Sequence, residues 1–108
     1  MIPLEPSQSL EEIQRYVAGM EIERGFDGQP LVEVCLKFGE EVGEVFKAVR
    51  KQEKMSLDPD SVVGEVGEEL ADVLIYLCAI ANRLGIDLAG ALRDKEVVNE
   101  TRTWVRPE

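Results

Sequence analysis

Two short acidic turns carry the chemistry open to this chain. Glu40-Glu41-Val42-Gly43-Glu44 reads acid, acid, aliphatic, small, acid, and Glu68-Glu69-Leu70-Ala71-Asp72 repeats the order; a valine, Val45 or Val73, follows each. On a helix, acids three apart lie on neighbouring turns of one face. Two such pairs brought together repel, and a hard divalent cation with oxygen ligands offsets that cost. A solvated acidic border beside an apolar stripe is the plainer alternative. Two matched pairs on consecutive helices favour the cation, Mg²⁺ or Mn²⁺, with positions left open for water and phosphate.

The remaining composition narrows the reaction. The 108 residues include no histidine. This removes His-ligated zinc and the commonest general base, so catalysis must run on carboxylates, Lys, Tyr or Cys. A formal net charge of -10 repels a phosphate backbone, and nucleic acid is not an expected partner. A small anion stays within reach where a bound cation inverts the local sign. Cys35 and Cys78 lie in apolar helical stretches and read as buried small side chains. The opening Met-Ile-Pro-Leu-Glu lacks the pattern of a signal peptide, and no stretch reaches the ~18 apolar residues of a membrane span. The expectation is a cytoplasmic protein without membrane contact, with one domain over residues 1–108.

Apolar spacing predicts four helices to position the acids. Ser9-Leu10-Glu11-Glu12 matches a capping box, opening a helix to about Arg24 with Ile13, Val17 and Met20 inward. Gly25-Phe26-Asp27-Gly28-Gln29-Pro30 breaks it. A second helix begins near Pro30, which suits a first turn. Its stripe comprises Leu31, Val34, Cys35, Phe38, Val42, Val45, Phe46 and Val49. Asp58-Pro59 is placed as cap and first position of a third helix running to Gly85. Asp87 is placed as cap of a fourth, ending around Thr103 with Leu92 and Val98 inward.

Helical geometry sets Glu41 and Glu69 roughly 80°, and Glu44 and Asp72 roughly 140°, to the same side of their stripes; Glu40 and Glu68 fall about opposite. Glu65 adds an acid on the flank of Glu69. Gly39, Gly43, Gly64 and Gly67 lie on the other flank, and glycine's cost inside a helix, up to ~1 kcal/mol, suggests a close backbone approach there.

The two motifs in this order, with Lys95 and Asn99 on the last helix, resemble the MazG-like all-α nucleoside triphosphate pyrophosphohydrolases, in particular the branch that includes the dCTP pyrophosphatases. The similarity covers nearly the whole chain and includes Ser9 to Ile13 and Glu23 to Phe26. It implies an all-α antiparallel four-helix bundle that assembles as a homodimer or homotetramer. It also implies Mg²⁺-dependent hydrolysis of a nucleoside or deoxynucleoside triphosphate to monophosphate and pyrophosphate, in nucleotide-pool housecleaning. Carried over by residue, Glu41, Glu44, Glu69 and Asp72 match metal ligands and Glu40 the acid that activates water. Tyr76, Lys95 and Asn99 match substrate contacts. Beside the resemblance, Tyr76 lies one turn after Asp72 on the same flank, within reach of phosphate. Lys95, Asn99 and Arg102 share a face. Lys47 and Lys51 are candidate phosphate neutralisers, and Phe26, in the helix break, a candidate base-stacking residue.

The chain departs from the dCTP-selective relatives. They carry a histidine in the first helix and a tryptophan soon after the first motif, whereas this chain has no histidine and only Trp104, so cytosine selectivity does not carry over. Two alternatives share the acids: a phosphoribosyl-ATP pyrophosphohydrolase, and a non-catalytic acidic module that binds helices or a cation.

Overall fold

A computed structural model describes residues 1–107. Among them are four helices and no strand: α1 (Leu10–Glu23), α2 (Leu31–Gln52), α3 (Val66–Arg83) and α4 (Leu88–Glu100). The all-α class follows from the periodicity. The capping box is present, with Ser9 Oγ accepting from the Glu12 amide at 3.1 Å and Glu12 Oε1 from the Ser9 amide at 3.0 Å. Gly25, at φ 75°, turns the chain out of α1 through a conformation that other residues rarely adopt. Pro30 is the N-cap of α2 rather than its first residue, with extended backbone (ψ 146°).

α2 and α3 make the largest helix–helix contact, and three ties fix their antiparallel register. Lys51 at the end of α2 meets Glu65 before α3 at 3.1 Å. Glu41 in mid-α2 meets Glu69 and Asp72. The Gln29 carbonyl, just before α2, accepts from Arg83 at the end of α3 at 3.3 Å. α1 packs across α3, and α4, which leaves α3 at 95°, packs on α1.

One predicted helix start and one predicted capping bond need correction. α3 begins at Val66, not at Pro59. Asp58 instead closes a local turn, its Oδ1 accepting from the Asp60 amide at 3.0 Å, and the β-branched Val62-Val63 with Gly64 leave the next residues unwound. Glu65 is therefore the N-cap of α3 and pairs with Lys51, off the flank assigned to it. Asp87 is the N-cap of α4 but makes no side-chain cap. Gln14 of α1 supplies one across the fold, its Oε1 accepting from the Leu88 amide at 3.1 Å.

The core is small: Val17, Met20, Val34, Cys78 and Ala79, with Ile13, Ile75, Ile80 and Leu88 packed against it. Cys78 is fully enclosed, and burial raises its thiol pKa, so it packs as an inert apolar group. Cys35 is exposed, against the expectation. Leu92 and Val98 are likewise exposed, because nothing among the described residues covers that face of α4. A radius of gyration of 16.7 Å exceeds the ~13 Å of a compact domain this long. Leu70, Leu74 and Leu77 on α3, and Phe46 and Val49 on α2, are also open to solvent. Among the described residues no single helix is long and apolar enough to cross a membrane.

Candidate functional site

The antiparallel register sets the two acidic turns face to face. One carboxylate oxygen each from Glu41, Glu69 and Asp72 lies within 4.8 Å of the others. Glu41 and Glu69 are half-buried and Asp72 is exposed, so water reaches the group from one side. Partial burial, then the charges of Asp72, Glu69, Glu44 and Glu40, raise the Glu41 pKa. Burial, Asp72, Glu44 and Glu68 do the same for Glu69. Among the described residues no lysine or arginine lowers either pKa in return. Three hard oxygen donors in this state fit a divalent cation such as Mg²⁺ and offer nothing to a soft metal.

Glu44 stands beside this trio. It is half-buried and ion-pairs with Lys47 at 3.6 Å, while its charge still acts on Glu41 and Glu69. Glu40 and Glu68 are exposed, each adding charge to the acid that follows it. Lys51 is engaged by Glu65 and by the Val63 carbonyl, at 3.4 Å.

Of the four glycines expected to permit a close approach, three have open space where a Cβ would stand; only a Cβ on Gly64 would overlap, and what it meets is the Glu69 carboxylate oxygen. A flexible carboxylate can swing away at little cost to the fold. Gly64→Ala is therefore expected to leave thermal stability within about 1 kcal/mol while displacing Glu69 and weakening divalent-cation affinity about tenfold or more. Calorimetric Mg²⁺ titration beside thermal denaturation checks this, and unchanged affinity would refute it.

Asp72 also lines a pocket next to the acids. Met20, Val34, Ile75 and Ala79 form its apolar side, and Phe26 and Tyr76 add rings. Arg24, Lys37, Gln29 and Glu21 supply polar groups. Phe26 and Tyr76, both singled out from sequence, thus share one cavity with an acid of the cluster. Lys95 and Asn99 do not line it. Asn99 sits in a separate recess with Arg102 and Trp104, donating to Glu96 at 2.9 Å and accepting the Trp104 indole N–H at 3.0 Å.

This geometry can be set beside known proteins. The family model for the MazG nucleotide pyrophosphohydrolase domain matches residues 32–99, a span holding both acidic turns. The chain belongs to the MazG family. A solved structure of iMazG from Vibrio DAT 722 superposes on this MazG domain with a TM-score of 0.64 at 35% identity, covering 87% of this chain and 100% of that one. A dATP/dGTP diphosphohydrolase of Salmonella phage PMBT28 is 33% identical over 93% of this chain and 29% of its own length. One of cyanophage S-2L is 32% identical over 67% of this chain and 56% of its own. The MazG chain described here thus spans less than a third of the first relative and just over half of the second.

Sequence reasoning missed most of the pocket wall. Lys37 had a signal: it precedes Glu41 by four positions and shares its helical face. Arg83, which bonds the loop carrying Phe26 and Gln29, had none, because its partners lie far away in sequence.

Proposed function

We propose that this MazG domain hydrolyses purine deoxynucleoside triphosphates to the monophosphate and pyrophosphate, with Mg²⁺ held by Glu41, Glu69 and Asp72 and completed by Glu44. The observation that carries the reading is the carboxylate trio within 4.8 Å, sharing Asp72 with a partly apolar pocket. A metal-dependent phosphate site next to a cavity for a base is the chemistry of a nucleotide hydrolase. The names of the phage relatives, dATP/dGTP diphosphohydrolase, favour a purine in that cavity.

When bound, Mg²⁺ supplies charge neutralisation and an activated water. Glu40, exposed beside Glu41, takes the proton from the attacking water. Phe26 stacks on the base, and the Tyr76 hydroxyl orients phosphate near Asp72. Lys47 and Lys51 exchange their carboxylate partners for phosphate; their ion pairs are exposed and so worth ~0–1 kcal/mol, which makes the exchange easy. A panel of nucleotides led by dATP and dGTP, assayed with Mg²⁺ for pyrophosphate against orthophosphate, tests the reading. Orthophosphate as the direct product, or no turnover of any nucleotide, would end it.

Lys95 and Asn99 reach substrate in this reading from a second copy of the chain. Support comes from α4, which packs on α1 and lends no residue to the pocket, and from the exposed apolar stripes of α2 and α3. Sedimentation should give a dimer or tetramer. Mixing two inactive variants, Asp72→Asn and Asn99→Ala, should then restore part of the activity. A monomer, or mixed oligomers without activity, would place both residues outside the site.

A further inference from the structure

We infer that Arg83 is a positioning residue that holds the loop wall of the pocket in place, an inference that rests on the nucleotide-hydrolase reading above. The wall in question is the segment between α1 and α2, which carries Phe26 and Gln29 into the pocket. Turn bonds hold it locally, the Phe26 amide donating to the Glu21 carbonyl at 2.8 Å and the Gln29 amide to the Phe26 carbonyl at 3.1 Å, but these bonds do not tie it to α3. Arg83 stands outside the pocket lining and reaches the segment from the end of α3. Its Nη2 donates to the Phe26 carbonyl at 3.0 Å and its Nε to the Gln29 carbonyl at 3.3 Å. Its Nη1 donates to Glu21 Oε2 at 2.7 Å, and to the Ala79 carbonyl at 3.4 Å.

One planar guanidinium thus ties α1, the loop and α3 at once. The pair is enclosed, with side-chain exposures of 15% for Arg83 and 9% for Glu21, so the charge-assisted bond is poorly screened and its geometry is held. The fork matters more than the charge. A lysine could still neutralise Glu21, but its single ammonium cannot span the two loop carbonyls as well. The acids lie about three to four turns away along α3, at Glu69 and Asp72, so loosening the loop leaves the cation site in place.

Arg83→Lys is therefore expected to stay folded and to keep kcat and the Mg²⁺ concentration for half-activity within about twofold. KM for the preferred deoxynucleotide should rise roughly five- to tenfold, the worth of one lost hydrogen bond's ordering of the wall. Limited trypsin digestion reads the loop without any assay of activity. The wild-type chain should resist cleavage after Arg24, and Arg83→Lys should be cut there. An unchanged KM overturns the inference, as does a fall in kcat or a changed Mg²⁺ requirement, which would place Arg83 at the chemistry. Ready cleavage of wild type at Arg24 also overturns it, and this readout needs no folded variant. If wild type hydrolyses no nucleotide, the functional reading fails while the digestion still decides whether Arg83 holds the loop.

Discussion

Glu41→Gln is expected to abolish Mg²⁺-dependent pyrophosphate release and, at the same time, to stabilise the metal-free protein at neutral pH. The loss of activity should be about a thousandfold or more, because a metal supplies several kcal/mol of transition-state stabilisation and each 1.36 kcal/mol is tenfold in rate. The gain in stability has the opposite origin. Burial and the charges of Asp72, Glu69, Glu44 and Glu40 raise the Glu41 pKa above its ordinary 4.5. For a carboxylate raised on folding, the stabilising contribution is complete below the unfolded pKa and is lost as pH rises through the folded one. Metal-free wild type should therefore lose stability relative to Glu41→Gln as pH climbs from about 4.5 toward neutrality. Denaturation midpoints in chelator across that range measure this. Added Mg²⁺ should lift wild type and leave the variant nearly unmoved. A variant less stable than wild type at neutral pH, or one still active, would contradict the assignment of Glu41.

Gln14→Leu should be the most damaging single change away from the acids. Gln14 is 8% exposed and charge-neutral, yet it serves three elements. Its Nε2 donates to Asn82 Oδ1 at 3.0 Å and to the Ile86 carbonyl, and its Oε1 accepts from the Leu88 amide. Asn82 returns a bond to the Gln14 carbonyl at 3.0 Å. Leucine of similar size would leave an amide, a carbonyl and an amide oxygen without partners. At about 1–3 kcal/mol for each buried group left unpaired, with part of the loss recovered by water, the cost should be near 3 kcal/mol. That is a large share of a domain stability of ~5–15 kcal/mol. Urea denaturation measures it, and a cost below about 1 kcal/mol would mean that these bonds are replaced by water.

The helices and the facing of the two acidic turns were legible because both are local or periodic. Stripe spacing located α2, Ser9 with Glu12 marked the start of α1, and equal flank angles brought Glu41 toward Glu69 and Asp72. What escaped was decided by tertiary competition. Asp58-Pro59 is a sound helix start by local rules, but Asp58 satisfies the Asp60 amide and the helix waits for Val66. Asp87 has a capping side chain, yet Gln14, seventy-four positions before Leu88, supplies the cap to the Leu88 amide. Glu65, counted among the flanking acids, is held by Lys51 across the hairpin. Gly39, Gly43 and Gly67 suggested close backbones, and among the described residues no neighbour stands within 4 Å of where their Cβ would be.

The ties that set the α2–α3 register also set an order of assembly. Lys51 and Glu65 are separated by 14 positions, Gln29 and Arg83 by 54, and Gln14 and Leu88 by 74. Closing a loop costs more entropy as it lengthens, so the hairpin zips from its turn outward and α1 docks afterward, bringing the start of α4 with it. The carboxylates meet while the pocket beside them still lacks a wall. Their repulsion is thus encountered on the way to the native state, and a cation that neutralises it would hasten folding as well as stabilise the product.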